Sequence, residues 1–156
     1  MIVISMELKH KVLVVQILKD VNVFNDEEFM VALELIDSYL NGETDYIIKV
    51  ALDENDLVNG YVCYGRASLA DGVIYMYWIA VSPNCQRKGV GKLLLETLEK
   101  DAISFGSRMI LAETSSTDRY RDSRDFYQSN GFKLTARIEN FYRVNDSLLI
   151  YRKDLK

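Results

Sequence analysis

The chain is poor in the residues that punctuate and crosslink proteins. Its 156 residues include one proline, Pro83, one histidine, His10, two cysteines, Cys63 and Cys85, and eight glycines. The lone proline and scattered glycines leave no linker, and no repeat or low-complexity tract is present. Two thiols outside any CxxC pattern make no disulfide framework. One histidine cannot furnish the usual Cys/His zinc site, so no metal is expected. A Ser-His-Asp or Cys-His hydrolase would rest on His10 alone, far along the chain from any nucleophile motif. No run reaches the ~18 apolar residues of a membrane span. The apolar start is interrupted by Glu7, Lys9, His10 and Lys11. It lacks the basic region and small-residue cleavage site of a signal peptide. The expected setting is the reducing cytoplasm, with no membrane partner.

Basic excess is missing as well. The formal charge is −4 and the isoelectric point about 5.1. A general nucleic-acid binder would normally be basic, so no nucleic-acid partner is expected. An acidic balance leaves room for a cationic substrate, although it also serves solubility alone. The 49% of apolar residues and 27% of charged ones are ordinary for a globular chain. The length fits one domain with a sizeable core.

The patterning predicts a mixed α/β sheet. Lys9 to Leu18 is rich in Val and Ile and reads as a strand. Asn25 to Leu40 reads as a helix, opened by an Asn25…Glu28 capping box and followed by Gly42. Tyr46 to Leu52 and Leu57 to Tyr64 read as a strand pair around a polar turn. Gly72 to Val81 is long, aromatic and β-branched, which suits a central strand. Gly91 to Ile103 is the clearest helix, with Leu94, Leu95, Leu98 and Ala102 on one stripe and Gly106 at its close. Met109 to Ala112 reads as a buried strand and Ser123 to Ser129 as a short helix stopped by Asn130-Gly131. Phe132 to Ile138 and Ser147 to Arg152 complete the strands.

The chemistry concentrates between Val81 and Lys92, where a strand leads through a Gly-rich basic loop into a helix. The first turn of a helix has unsatisfied N–H groups and a dipole that favours anions. Glycine lets the backbone approach closely. Arg87, Lys88 and Lys92 add positive charge in an otherwise acidic chain. A Walker A loop would need glycine at 86 and Ser or Thr at 93, where Gln86 and Leu93 stand. A dinucleotide GxGxxG would need glycine at 94, which is Leu94. What remains is Q-x-x-G-x-G, from Gln86 to Gly91.

This motif resembles the acyl-CoA pyrophosphate loop of the GNAT superfamily of N-acetyltransferases. The loop follows a long strand ending in Ile79-Ala80-Val81 and a proline, as in that family. Downstream, Phe126-Tyr127-Gln128-Ser129-Asn130-Gly131-Phe132 looks like the family's FYxxxGF element, although Phe126 and Phe132 read as core in either case. The resemblance covers Gly72 to Lys133 well and the remainder in strand order only. It implies one GNAT domain over residues 1–156. Its sheet would be central and mostly antiparallel, of six to seven strands, with helices on both faces.

The resemblance also implies an acetyl-CoA-dependent N-acetyltransferase acting by direct transfer on a primary amine. Gln86, Arg87, Lys88, Gly89, Val90, Gly91 and Lys92 would hold the pyrophosphate. Backbone groups of Ile79, Ala80 and Val81 would pair with pantetheine. Tyr127 aligns with the tyrosine that many members place beside the CoA sulfur, which makes it the general acid; its alternative is a packing residue. Many members carry a glutamate in the strand before the loop, but Ile74-Tyr75-Met76-Tyr77-Trp78 has no carboxylate. Glu113 is the substitute base, with a solvated strand end as its alternative. Some members combine a glutamate there with an aromatic pair near the C-terminus, like Phe141-Tyr142. Tyr75, Tyr77 and Tyr142 are candidates for the acceptor pocket. The acceptor is a small-molecule amine or a protein or peptide amine. A homodimer stays open, since dimers are common in the superfamily. A non-catalytic acyl-CoA sensor on the same fold is the alternative function.

Overall fold

A computed structural model describes all residues, Met1–Lys156. Seven strands form a sheet in the order β1-β2-β3-β4-β5-β7-β6: β1 Ile2–Ser5, β2 Ile47–Leu52, β3 Val58–Arg66, β4 Val73–Val81, β5 Met109–Ser115, β6 Lys133–Arg143 and β7 Asp146–Asp154. Pairing is parallel between β4 and β5 and antiparallel for β1–β2, β2–β3, β5–β7 and β6–β7. The helices are α1 Lys11–Asp20, α2 Asp26–Leu40, α3 Val90–Ser104 and α4 Arg121–Ser129. The mixed sheet, its strand count and the central place of β4 agree with the sequence reading. No helix is long and apolar enough to cross a membrane.

The chain falls into two compact units, each of two segments. The first is Met1–Gly65 with Tyr77–Asp101; the second is Arg66–Met76 with Ala102–Lys156. Strand β4 and helix α3 contribute to both.

In the first unit, β3 shows how the layers arise. Successive strand residues point to opposite faces. Gly60 faces α3, and a Cβ there would stand 2.9 Å from the Ala80 carbonyl oxygen and 3.1 Å from Val90 and Leu94. Tyr61 faces the other way, into a core with Val14, Ile17 and Leu18 of α1 and Ala32 and Ile36 of α2. Helices therefore cover both faces of this part of the sheet. Helix α2 begins as expected, with Asn25 accepting from the Glu28 amide at 2.8 Å and Glu28 accepting from the Asn25 amide at 3.2 Å.

One element differs in kind. The segment expected as a strand from Lys9 to Leu18 is a 3-10 turn at Leu8–His10 followed by α1, and the first strand lies earlier, at Ile2–Ser5. The buried residues Val14, Ile17 and Leu18 have helical spacing. Burial of that stripe outweighs the small helical penalty of β-branched residues.

In the second unit, the parallel ladder joins Val73–Met76 to Met109–Ala112, and β5 runs on to Ser115. Strand β7 pairs along all of β5. Strand β6 is the outer edge, exposed at every residue, and extends to Arg143 instead of stopping at Ile138. Its register with β7 slips between Leu134 and Ala136 and again between Ile138 and Arg143.

Candidate functional site

The loop after β4 leads directly into the start of α3. Pro83–Cys85 forms a 3-10 turn, closed by the Cys85 amide donating to the Ser82 carbonyl at 2.8 Å. The Gln86 side-chain amide donates back to the Val81 carbonyl at 3.2 Å, so the loop is tied to the strand that it leaves. Arg87 and Gly89 both have positive φ, 60° and 84°. These turn the chain so that α3 starts at Val90, which is buried while Gln86 through Gly89 are exposed. The Leu93 amide bonds the Gly89 carbonyl at 3.0 Å. The amides of Val90, Gly91 and Lys92 thus belong to the helix start, where no intrahelical acceptor is available.

This donor set fits an anionic phosphate. The first turn of α3 holds no acidic residue. A Cβ on Gly89 would meet nothing within 4 Å, so the approach to its backbone is open. Arg87 and Lys88 are exposed beside it, and Lys92 lies 3.9 Å from Glu96 in an exposed pair of little energetic weight. Ile79, Ala80 and Val81 form the end of β4, with Ala80 buried and the other two partly exposed.

Tyr127 and Glu113 lie in the second unit. Tyr127 is buried on α4 among the rings of Phe132 and Tyr151, each 5.5 Å from its own, and of Phe126 at 6.0 Å. Burial pushes its hydroxyl up to about 12, with Tyr151 and Tyr142 adding to the rise. It therefore stays protonated across the neutral range and is a donor, not a base. Glu113 is exposed within β5 opposite Ile150 of β7, with two more strand residues after it. Tyr142 is exposed and its ring meets Phe141 edge-on at 5.0 Å.

The sequence did not reveal the network that fixes α4 to β5. Arg124 donates through Nη1 to the carbonyls of Ser115 at 2.9 Å and Thr117 at 2.6 Å. The Ser115 hydroxyl bonds the Asp146 carboxylate and Thr117. The Ser147 amide donates to the Ser116 hydroxyl at 2.9 Å, and the Ser116 amide returns a bond to the Ser147 carbonyl at 3.0 Å. The ends of β5 and β7 and the start of α4 are thereby locked within one unit.

Comparison with known proteins identifies the class, that of the acetyltransferases. The acetyltransferase (GNAT) domain family matches residues 44–134. The chain belongs to that family. It is 34% identical to a protein from Desulfovibrio desulfuricans assigned to the GNAT acetyltransferases, with 99% of each chain covered and a TM-score of 0.93. It is also 32% identical, over 55% of its own length, to the L-amino acid N-acyltransferase MnaT of Escherichia coli (strain K12); the match spans 50% of that protein. An aminoglycoside 6'-N-acetyltransferase solved with coenzyme A shares the fold at 17% identity, with a TM-score of 0.73 and 99% and 97% of the two chains covered.

Proposed function

We propose that the chain transfers an acetyl group from acetyl-CoA directly to a primary amine. The observation that carries this reading is the junction from Val81 to Lys92, where a basic loop tied back to β4 by Gln86 opens into an acid-free helix start. Family membership supports the same chemistry. Residues Gln86 to Lys92 would bind the pyrophosphate, and Ile79 to Val81 would offer backbone groups to pantetheine. Bound acetyl-CoA supplies an activated thioester carbonyl.

Tyr127 would donate to the departing sulfur. A thiol titrates near ~8.5 in water, well below a hydroxyl near 12, so full proton transfer from Tyr127 requires the sulfur to be desolvated as well. A hydrogen bond to the developing negative charge needs no such shift and already lowers the barrier. Glu113 would take the proton from the acceptor ammonium, which is mostly charged at neutral pH because a lysine-like amine has a pKa near ~10.4.

Titration with acetyl-CoA, CoA and ATP, followed by thiol release with an amine panel, tests the proposal. Acetyl-CoA binding without thiol release for any amine would leave the acyl-CoA sensor as the function. Glu113→Gln should lower turnover most at low pH and recover as pH approaches the amine pKa, with CoA affinity unchanged. Parallel pH–rate profiles for the two proteins would remove Glu113 from the role of base.

A further inference from the structure

The second slip in the β6–β7 hairpin decides which way Tyr142 faces. Ile138 pairs with Leu148 and Arg143 with Asp146. Residues 139–142 therefore stand against Ser147 alone, four against one, so β6 carries three extra residues there. Paired residues share a face, and an odd slip sends every later side chain to the other face. In unbroken register Tyr142 would join Ile138, Leu148 and Ile150. Instead Arg143 takes that face, 4.0 Å from the Asp146 carboxylate, and Tyr142 takes the face of Leu149 and Tyr151. Tyr151 meets Tyr127 with ring centroids 5.5 Å apart, so this is the α4 side of the second unit.

Two left-handed asparagines hold the extra residues in place. Asn140 has a φ of 55° and Asn145 a φ of 65°, a region that asparagine tolerates better than most side chains. The Asn145 amide donates to Asn140 Oδ1 at 2.8 Å, and the Asn140 amide donates to Ser147 Oγ at 3.3 Å. The tyrosine turned by this arrangement is not core. Tyr142 is 44% exposed, whereas Tyr127 is only 7% exposed. Tyr142 also adds to the rise in the pKa of the Tyr127 hydroxyl, so the two groups interact.

A buried acid has a supply problem. Once Tyr127 has given its proton to the departing sulfur, it is a phenolate, the form that burial disfavours. It must regain a proton before the next turnover. A second hydroxyl with one side in solvent meets that need. We propose that Tyr142 is a positioning residue that works through Tyr127, passing a proton from solvent to the Tyr127 phenolate. In each cycle the C–S bond breaks and the Tyr127 proton goes to sulfur. The Tyr142 proton then goes to Tyr127, across a bridging water where the hydroxyls do not touch. A solvent acid reprotonates Tyr142. The proton that the acceptor amine loses leaves through the base, so the cycle gains one proton and loses one. The inference rests on the acyltransferase reading, with Tyr127 as its acid, and adds a residue to it.

Tyr142→Phe keeps the ring and its edge-on contact with Phe141 and removes only the hydroxyl. Thiol release is followed at saturating acetyl-CoA with the best amine of the panel. The kcat should fall about tenfold, short of the ~10²-fold or more expected for the acid itself, while the amine KM and the acetyl-CoA affinity hold. Imidazole near pH 7, a small diffusible acid, should restore kcat in proportion to its concentration and leave the parent unchanged. Tyr142→Phe combined with Tyr127→Phe should be no slower than Tyr127→Phe alone, since a relay cannot serve an absent hydroxyl. A parent-like kcat, or losses that multiply in the double variant, would overturn the proposal. A raised amine KM at unchanged kcat would place Tyr142 in the acceptor pocket and overturn it too. A second measurement needs no turnover. In protein labelled with carbon-13 at tyrosine Cζ, the Tyr127 resonance is assigned by its loss in Tyr127→Phe. It should move in Tyr142→Phe at neutral pH, and an unmoved resonance would also overturn the proposal. Thiol release with parent-like Tyr142→Phe kinetics sinks this inference alone. No thiol release for any amine sinks the acyltransferase reading, and the relay with it.

Discussion

Arg124, in the first turn of α4, donates to the carbonyl of Ser115, the last residue of β5, at 2.9 Å. The same nitrogen reaches the Thr117 carbonyl at 2.6 Å. One guanidinium therefore sets the spacing between the helix that carries Tyr127 and the strand that carries Glu113. Arg124→Met keeps most of the side-chain volume and removes the guanidinium from both carbonyls, of which that of Thr117 keeps the Tyr120 amide at 3.1 Å. The expected loss of stability is roughly 1–3 kcal/mol, toward the low end because Arg124 is only partly buried. Turnover should fall further than stability alone explains, since α4 then moves against β5. A melting curve beside steady-state kinetics at a temperature where both proteins are folded separates the two effects. Arg124→Lys should restore part of each, as an ammonium can still reach one carbonyl.

Gly89 is the position at which the proposed pyrophosphate loop is most exposed to test. Its φ of +84° lies in the left-handed region, and a Cβ would meet nothing within 4 Å. Gly89→Asp should therefore fold, with a strain of about 1–2 kcal/mol, and should lose acetyl-CoA binding through charge repulsion and obstruction. Calorimetry that returns the parent affinity would dismiss the loop as the phosphate site.

Tyr127→Phe keeps the ring among Phe132 and Tyr151 and removes the hydroxyl. Turnover should drop by roughly 10²–10⁴-fold with acetyl-CoA affinity nearly unchanged, as expected for a group that acts in the transition state. Its raised pKa also carries a stability signature. The folded state holds the proton up to about pH 12, whereas an unfolded tyrosine releases it near 10. The contribution is present below pH 10 and disappears as pH rises from 10 to 12; the two units correspond to about 2–3 kcal/mol. Melting temperatures measured through this window should fall less steeply in Tyr127→Phe than in the parent. Coincident curves would mean that the hydroxyl is not protected by burial.

The two thiols should react at different rates. Burial pushes Cys63 up to about 12, while Cys85 is partly exposed in the turn before the loop. A thiolate is the reactive form. An aromatic disulfide reagent should modify one thiol per chain in the native protein and two after denaturation. Prior occupancy by CoA should slow the first, because Cys85 immediately precedes Gln86.

The elements that the sequence revealed share a local cause. The Asn25…Glu28 box, the stripe of α3 and the glycines after both helices are signals written within a few residues. Helix α1 is not legible from composition, because its Val-rich run suggests a strand while the spacing of Val14, Ile17 and Leu18 suggests a helix; the tertiary core decides for the latter. The proposed pyrophosphate loop stands out in the sequence because glycine, cations and a helix start coincide within six residues. The Arg124 network does not, because its acceptors are backbone carbonyls that any sequence supplies. Gly60 and Gly65 were equally silent: each is demanded by an atom of a distant segment, the Ala80 oxygen and the Tyr46 ring.

Strand β6 closes one side of the sheet with Leu134, Ile138, Phe141 and Tyr142 all exposed. A straight edge of that composition would be a template on which further chains could stack into fibrils. The two register slips prevent this, because they bend the edge out of line with any incoming strand. Asn140, at a φ of 55°, holds the second irregularity by accepting from the Asn145 amide at 2.8 Å. Lys133, Arg137 and Arg143 along the same edge add like charges that a stacked copy would have to bring together. Against stacking, this edge therefore relies on a distorted hairpin and not on hiding its apolar side chains. Trimming that hairpin to a regular turn would trade an irregular loop for an amyloid-competent edge.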